Sequence, residues 1–233
     1  MGKAARLWCE RSGVAGDISI ECIKRIPVQA GLGGGSSDAA AVLRALDSLF
    51  PSDALGPAGL MEIGLEVGSD VPFFLCGGTS AWGRGRGELL EVLETPVGYQ
   101  VLVVMPRSFS VSTGKAFSRL DVWRESSRKE VAAWLSFAEV RRLYGGDCMD
   151  WPFYNDFSPV VGHEEFYSVL DTACKAVGNT FGSLTGSGAA WYAVSLDDHA
   201  LDAVGRAVTT EFGDDICTFR AKMLCNQLCD GTL

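Results

Sequence analysis

The stretch that decides the fold reads Pro27-Val28-Gln29-Ala30-Gly31-Leu32-Gly33-Gly34-Gly35-Ser36-Ser37-Asp38 and leads directly into an alanine-rich apolar run. Four of the five residues from 31 to 35 are glycine. A backbone without side chains can adopt positive φ angles and can approach a bound ligand closely. Serine and aspartate then favour the start of a helix, whose free N–H groups and dipole attract phosphate. We therefore predict a nucleotide phosphate loop followed by a helix over residues 36–50.

The two most common nucleotide motifs do not fit this stretch. A Walker A loop ends in Gly-Lys-Ser/Thr, whereas Ser36 directly follows the last glycine here. The dinucleotide fingerprint G-x-G-x-x-G would require glycine at the position of Ser36. A flexible turn without a ligand is the alternative interpretation. The strand-like residues 18–26 before the loop and the helix-like residues after it favour a phosphate site.

The order of residues in this loop resembles the phosphate loop of the GHMP kinases, and within them that of the 4-diphosphocytidyl-2-C-methyl-D-erythritol kinase family. Four further segments resemble the family in the same order, so the resemblance covers nearly the whole chain. They are Gly-Ser-Asp-Val-Pro-Phe at 68–73, Ser-Thr-Gly-Lys-Ala-Phe at 112–117, Asn-Asp-Phe-Ser-Pro at 155–159 and Leu-Thr-Gly-Ser-Gly-Ala at 184–189. Serine at position 158 stands where the family usually has an acid.

The resemblance implies a kinase that uses ATP and Mg²⁺ to phosphorylate the 2-hydroxyl group of 4-diphosphocytidyl-2-C-methyl-D-erythritol in non-mevalonate isoprenoid (terpenoid) biosynthesis. Asp70 would accept or orient the proton of the acceptor hydroxyl, and an ordinary turn aspartate is the alternative. The residues implied in ATP binding are Pro27, Val28, Gln29, Ala30, Gly31, Leu32, Gly33, Gly34, Gly35, Ser36 and Ser37. The residues implied in binding the acceptor are Thr113, Phe117, Thr185, Gly186, Ser187 and Gly188.

Several of these assignments carry further expectations. Ser36 or Ser37 could place a hydroxyl on phosphate or on Mg²⁺, and no residue is assigned as a metal ligand. Phe117 could stack on the cytosine base or belong to the core. At Gly34, a β-branched side chain would block a positive φ angle and the approach of the backbone to phosphate.

The alternation of strand-like, loop and helix-like segments predicts an α+β fold. The resemblance implies the two-lobed GHMP kinase fold. Residues 1–107 would form an ATP-binding lobe that is similar to ribosomal protein S5 domain 2 and incomplete here, and residues 108–233 a ferredoxin-like C-terminal lobe. Predicted helices cover residues 1–13, 36–50, 60–67, 164–177 and 198–212, with further helical parts in 110–144. Predicted strands cover residues 18–26, 99–105, 191–196 and 215–222.

Charge and cysteine content restrict the partners and the compartment. The chain of 233 residues has a formal net charge of −9 and no basic cluster larger than Arg141-Arg142. This argues against nucleic acid or an anionic membrane as the main partner. The partner that the resemblance implies is a small molecule, the cytidine diphosphate-linked methylerythritol. Eight scattered cysteines and only two histidines argue against a zinc site and are typical of a reducing compartment. No signal peptide or membrane span is visible, so we expect a cytoplasmic protein. A monomer and a homodimer both stay open.

One departure from the family pattern concerns the start of the chain. The family opens with a Lys-Ile/Leu-Asn strand, which carries a catalytic lysine, and an Asp-Gly-Tyr-His segment, which helps to hold the cytidine. Neither occurs before Gly31, and Lys3 stands in a helix-like context. We therefore expect that the opening strands are missing, that the reading frame continues upstream of Met1, and that this chain has little kinase activity. Two alternative functions stay open: another GHMP kinase of the homoserine or mevalonate type, and an inactive nucleotide-binding fragment.

Overall fold

The computed structural model describes residues 1–127 and 135–225. These residues form two compact units. Unit 1 contains Met1–Val28 and Gly33–Glu94, and unit 2 contains Gln29–Leu32 and Thr95–Cys225. None of the helices in the described parts of the chain has the length and apolar content needed to span a bilayer.

Unit 1 is mainly helical. Its helices are α1 (Gly2–Ser12), α2 (Gly34–Leu49), α3 (Gly56–Val67) and the short α4 (Val71–Leu75). Their apolar faces meet in a core around Trp8, Leu43 and Ile63, which are fully buried. The indole N–H of Trp8 donates to Asp47 Oδ1 at 3.0 Å, so this polar group is paired inside the core. The predicted helices 1–13 and 36–50 are confirmed, because helical periodicity identifies a buried face directly.

The predicted helix at 60–67 begins earlier than expected. In the structure α3 starts at Gly56 and contains Pro57 in its first turn. The predicted helix began only at residue 60, after this proline. Proline is well tolerated in the first turn, where its missing N–H would have no partner within the helix.

Residues 18–26 are not a strand, so the prediction for this segment is wrong. The apolar alternation is present, but among the described residues no strand is hydrogen-bonded to the segment. A strand depends on pairing with a distant part of the chain, which alternation alone does not reveal. Ile23, in the middle of the segment, is 79% exposed. The described strands of unit 1 are instead β1 (Ser80–Arg84) and β2 (Leu89–Leu93), an antiparallel hairpin in a glycine-rich part where the sequence predicts none.

Unit 2 has the β-α-β-β-α-β order of a ferredoxin-like fold. Its elements are β3 (Gln100–Pro106), α5 (Thr113–Ser127), α6 (Phe137–Tyr144), α7 (Glu164–Val177), β4 (Phe181–Leu184), β5 (Trp191–Ser195), α8 (Asp198–Phe212) and β6 (Ile216–Lys222). The four strands form an antiparallel sheet in the order β4-β5-β3-β6. Helices α5 and α6 lie in the connection between β3 and α7. The predicted α+β class and the ferredoxin-like C-terminal part are therefore confirmed.

The core of unit 2 lies between this sheet and the helices α7 and α8. Leu170, Trp191, Leu201 and Val204 are fully buried there. The helices predicted at 164–177 and 198–212 have the predicted bounds, and the strands at 99–105, 191–196 and 215–222 are correct to within one residue. Strand β4 is not predicted by the sequence. Part of the helical region predicted at 110–144, residues 128–134, lies outside the described residues.

The compact units divide between Glu94 and Thr95, earlier than the division between residues 107 and 108 that the sequence predicts. The reason is β3, which pairs on one side with β5 and on the other with β6. This strand therefore belongs to the same sheet as the C-terminal elements. The short segment Gln29–Leu32 also belongs to unit 2, although both of its flanks belong to unit 1.

Candidate functional site

The tip of the predicted phosphate loop, Gln29–Leu32, is held by hydrogen bonds within unit 2. The N–H groups of Ala189 and Ala190 donate to the carbonyl oxygens of Gln29 and Ala30, at 3.4 and 3.3 Å. Ala30 is buried. The second glycine loop, residues 184–190, thus supports the first one through the backbone.

Thr185 adds a side-chain contact between the two loops. Its hydroxyl donates to the carbonyl oxygen of Ala30 at 2.6 Å. Gly31 has a φ of 73°, and a Cβ placed on it would lie 2.1 Å from the carbonyl oxygen of Thr185. A Cβ on Gly186 would lie 3.1 Å from the carbonyl oxygen of Gly31. Both loops need glycine at this contact because their backbones meet directly.

Two further hydroxyl groups hold the second glycine loop. Tyr167 donates to the carbonyl oxygen of Ala189 at 2.9 Å. Burial raises the pKa of Tyr167, so its hydroxyl stays protonated and can donate at neutral pH. The hydroxyls of Thr113 and Ser187 lie 3.0 Å apart, with either one as donor. Thr113 is the first residue of α5, so the structure brings two of the predicted acceptor-binding residues together.

Phe117 lies one turn further along α5 and is 53% exposed. Its ring meets that of Phe157 edge-on, with centroids 4.9 Å apart. The alternative that Phe117 belongs to the core is therefore wrong. An exposed ring face is available for stacking, and the stacking role stays a prediction.

The other part of the predicted phosphate loop starts α2 in unit 1. Gly33, with a φ of 65°, is the N-cap, and its carbonyl oxygen accepts from the N–H groups of Ser36 and Ser37 at 3.0 and 2.9 Å. The hydroxyl of Ser37 donates to the carbonyl oxygen of Gly34 at 2.9 Å. No side chain of the described residues caps this helix. The first N–H groups of α2 are therefore left for another acceptor, as in phosphate-binding helix starts.

Gly34 is restricted by its neighbours and not by its φ angle. Gly31 and Gly33 have positive φ angles but Gly34 does not, so the conformation predicted for Gly34 is wrong. A Cβ on Gly34 would lie 2.9 Å from Ile26 Cγ2, whereas a Cβ on Gly35 would meet no atom within 4 Å. The start of α2 is thus crowded beside Gly34 and open beside Gly35.

Lys24 is a candidate that sequence reasoning missed. Its Nζ lies 2.5 Å from Oδ2 of Asp38, the fifth residue of α2, and 3.3 Å from the position of a Cβ on Gly34. This cation stands beside a helix start that lacks the lysine of a Walker A motif. The pair is separated by 14 residues in the sequence, and no local pattern indicates it.

Asp70 is exposed at the N-terminus of α4. Its carboxylate caps no N–H of that helix, and the hydroxyl of Ser69 donates to it at 3.5 Å. Phe74, on the same helix, lies close to Gly33, where an added Cβ would be 3.0 Å from Phe74 Cζ. The helix that begins at Asp70 therefore packs near the start of α2 within unit 1. Thr113, the loop tip and the second glycine loop are brought together within unit 2.

The residues present fit a nucleotide better than a protein metal cage. Within residues 1–127 and 135–225, no three or more His, Cys, Asp or Glu side chains are grouped so that they could hold a metal ion. Mg²⁺ that accompanies a nucleotide is held largely by phosphate oxygens and water, with one or two protein oxygens. The hydroxyl oxygen of Ser37 keeps lone pairs for such a contact while it donates to Gly34.

Comparison with known proteins gives the family. Residues 1–78 match the GHMP kinases N terminal domain. The 4-diphosphocytidyl-2-C-methyl-D-erythritol kinase of Treponema pallidum is 33% identical over 204 residues, which are 85% of this chain and 69% of that protein. This chain belongs to the 4-diphosphocytidyl-2-C-methyl-D-erythritol kinase family. The family predicted from the glycine loops is thereby confirmed.

Two other members of the family align over shorter parts of their length. The kinase of Methylococcus capsulatus is 38% identical over 192 residues, 82% of this chain and 60% of that protein. The kinase of an Anaeromyxobacter species is 48% identical over 127 residues, 54% of this chain and 41% of that protein. The chain thus spans between 41% and 69% of the length of these three curated relatives.

Solved structures agree with the family and its fold. A crystal structure of 4-(cytidine 5'-diphospho)-2C-methyl-D-erythritol kinase matches with a TM-score of 0.70 and 27% identity, over 94% of this chain and 75% of that chain. Homoserine kinase from Cytophaga hutchinsonii matches with a TM-score of 0.67 and 20% identity, over 96% of this chain and 75% of that chain. The second match shows the fold alone. The two-lobed GHMP kinase fold class is confirmed.

Proposed function

We propose that this chain acts in the ATP-dependent phosphorylation of the 2-hydroxyl group of 4-diphosphocytidyl-2-C-methyl-D-erythritol, a step of non-mevalonate isoprenoid biosynthesis. The observation that carries the proposal is the pair of glycine loops. The tip Gln29–Leu32 is fixed by Thr185 and Ala190, and the helix that follows starts at Gly33 without a capping side chain. Relatives of that name support the acceptor.

The phosphates of ATP would be bound by the start of α2. The N–H groups of Gly34 and Gly35 are the donors, since that of Ser36 is bonded to Gly33, and the helix dipole favours negative charge there. The open space beside Gly35 admits a phosphate group that a side chain would exclude. Mg²⁺ would accompany the nucleotide, with the hydroxyl of Ser36 or Ser37 as a protein contact.

The acceptor would be oriented by Thr113 and Phe117 on α5 together with Ser187 in the second glycine loop. In the transfer step a bond forms between the acceptor oxygen and the γ-phosphorus, and the bond from that phosphorus to the β,γ-bridging oxygen breaks. Asp70 would accept the hydroxyl proton or orient the hydroxyl. ADP is the leaving group.

Composition supports a small-molecule enzyme of a reducing compartment, and we place it in the cytoplasm as a monomer or homodimer. The net charge of −9 disfavours nucleic acid as a partner. All seven cysteines in the described residues are free thiols. Free cysteines are typical of proteins kept in a reducing environment.

The test measures ATP binding and phosphoryl transfer separately on the 233-residue chain. Isothermal titration calorimetry with ATP and Mg²⁺ gives the Kd, and transfer of the labelled γ-phosphate gives the rate for each acceptor. We expect ATP binding and transfer to the cytidylyl acceptor above the background without protein. Transfer only to homoserine or mevalonate would favour the other GHMP kinases, binding without any transfer would favour an inactive nucleotide-binding protein, and no ATP binding would overturn the proposal.

Two glycine variants make the binding test specific for the loop. Gly31→Ala forces a Cβ to 2.1 Å from a backbone oxygen at a positive φ, so we expect it to abolish ATP binding. Gly205→Ala, in α8 of the same unit, places its Cβ in ordinary contact with Leu102 at 3.7 Å. The Gly205→Ala protein should bind ATP like the unmodified chain.

A further inference from the structure

The segment Asn155-Asp156-Phe157 is absent from the proposed chemistry, yet all three side chains make specific contacts in unit 2. We propose that Asn155 is a positioning residue. It fixes the second glycine loop and, through that loop, the tip of the phosphate loop, so that ATP affinity depends on it. The effect on ATP rests on the proposed function, whereas the effect on the loops does not.

Asn155 uses both ends of its side-chain amide. Its Nδ2 donates to the carbonyl oxygens of Leu184 and Gly186, both at 2.8 Å. Its Oδ1 accepts from the backbone N–H of Phe157 at 2.9 Å. Two donors and one acceptor on such a short side chain are available only from asparagine. An aspartate here would present negative oxygens to two carbonyl oxygens.

The two carbonyl groups held by Asn155 flank Thr185. This threonine donates from its hydroxyl to the carbonyl oxygen of Ala30, and its backbone N–H donates to Ala190, at 2.6 and 3.0 Å. Asn155 therefore holds the chain on both sides of the residue that contacts the phosphate-loop tip. If Asn155 no longer donates, the backbone around Thr185 loses the contacts that fix its direction.

The neighbours of Asn155 contact α5, which carries Thr113 and Phe117. Asp156 pairs with Arg124 at 2.7 Å, and both side chains are about half exposed. Phe157 packs edge-on against Phe117. The Asp156 pair offers a matched control, because an exposed ion pair contributes little to stability and Asp156→Asn leaves the amide of Asn155 in place.

The experiment compares the unmodified chain with Asn155→Asp, Asn155→Ala and Asp156→Asn. Hydrogen exchange of the amides of Ala189 and Ala190, without ligand, reports the bonds between the two loops. Calorimetry reports the Kd for ATP with Mg²⁺. For both Asn155 variants we expect exchange at these amides to rise by about tenfold or more, and the Kd to rise by a similar factor, because two carbonyl groups lose their donor. Asp156→Asn should change each quantity by less than about twofold.

Exchange and binding decide separate parts of the proposal. Unchanged exchange at Ala189 and Ala190 in both Asn155 variants overturns the positioning role, whatever the ATP affinity. Faster exchange with unchanged ATP affinity shows that Asn155 holds the loop but does not act on the nucleotide site, which also overturns it. If the unmodified chain binds no ATP, the proposed function fails, while the exchange data still decide whether Asn155 fixes the loops. Asn155→Ala keeps the test valid if Asn155→Asp does not fold, because it adds no charge.

Discussion

At the scale of single residues, a substitution at Asp70 should affect catalysis and leave ATP binding nearly unchanged. Its exposed carboxylate caps no helical N–H, so asparagine, which has the same size, leaves the packing of α4 unchanged. In a form of the protein that transfers phosphate, we expect Asp70→Asn to lower kcat by at least about 10²-fold, with the Kd for ATP nearly unchanged. Steady-state kinetics and calorimetry measure the two quantities. Asp53→Asn, at an exposed aspartate between α2 and α3, is the control, and near-normal turnover of the Asp70 variant would remove this residue from the mechanism.

A substitution at Gly34 tests whether the start of α2 binds the phosphates of ATP. A valine side chain there would meet Ile26, whose Cγ2 would be 2.9 Å from the new Cβ, and would stand where phosphate has to approach. We expect Gly34→Val to weaken ATP binding by about tenfold or more, with a much smaller effect on the cytidylyl acceptor. Calorimetric titrations with each ligand give both values. Gly2→Val, in the first turn of α1 with open space around it, is the matched control. Equal losses for both ligands would indicate misfolding, and no loss would rule out the phosphate-loop assignment at this residue.

At the scale of elements, the contact of β4 with β5 and α7 is set by one glycine. A Cβ on Gly182 would lie 2.2 Å from Trp191 Cζ2 and 3.1 Å from Cys174 Sγ. Trp191 is fully buried and its indole N–H donates to Asp171 on α7 at 3.0 Å, so the ring has no free direction in which to move. We expect Gly182→Ala to lower the free energy of unfolding by about 1–3 kcal/mol through overpacking.

Urea unfolding followed by tryptophan fluorescence measures this loss. The helical variant Gly205→Ala, which has room for its Cβ, should be neutral or slightly stabilising. Equal unfolding midpoints for the Gly182 variant and the unmodified chain would show that the β4 edge adjusts without cost.

The predicted and observed helices and strands show which parts of the fold the sequence could reveal. The helices α7 and α8 were predictable to the residue because their apolar positions repeat at helical spacing and glycine or a polar cap ends the pattern. The strand expected at 18–26 has the right alternation but no partner among the described residues, and pairing is not a local property. Strand β4 was missed because it is short and contains glycine.

The candidate site also has a part that the sequence predicts and a part that it does not. The first glycine loop was predicted from its own residues. The second, which by itself is equally typical of an ordinary turn, was predicted from the family resemblance. The side-chain contacts beside these loops were not predicted, because Lys24 and Asp38 are 14 residues apart in the sequence, and Asn155 and Gly186 are 31 apart. Such side-chain contacts are set by the folded chain, and no spacing rule in the sequence predicts them.

At the scale of the whole molecule, we expect the 233-residue polypeptide to bind ATP but to transfer its phosphate slowly. The lysine that the family resemblance implies near the transferred phosphate has no match in residues 1–30. One preorganised cation in such a site contributes roughly 10²–10³-fold to the rate. Transfer by this chain should be slower than by the Methylococcus capsulatus kinase by about that factor, measured under the same conditions with the same acceptor. Equal rates would show that the lysine is dispensable here.

Nucleotide binding should be visible in thermal stability even where transfer is slow. With ATP at 100 times its Kd, the folded chain gains about 2.7 kcal/mol, which for a protein of this size raises the Tm by about 5–10 °C. Differential scanning fluorimetry with ATP and Mg²⁺ measures the shift. Gly31→Ala should show no shift with ATP, and a shift equal to that of the unmodified chain would place the nucleotide elsewhere.

The bond between Thr185 and Ala30 joins residues that are 155 positions apart, and this has a consequence for the order of events during synthesis. The glycines of residues 31–35 leave the ribosome early, whereas the segment that supports them leaves much later. At ordinary elongation rates of roughly 5–20 residues per second, the delay is about 8–31 s. During that interval the nascent chain carries a flexible glycine segment without its support. We expect a nascent chain arrested before residue 185 to be unable to retain ATP, and the released chain of 233 residues to acquire that ability.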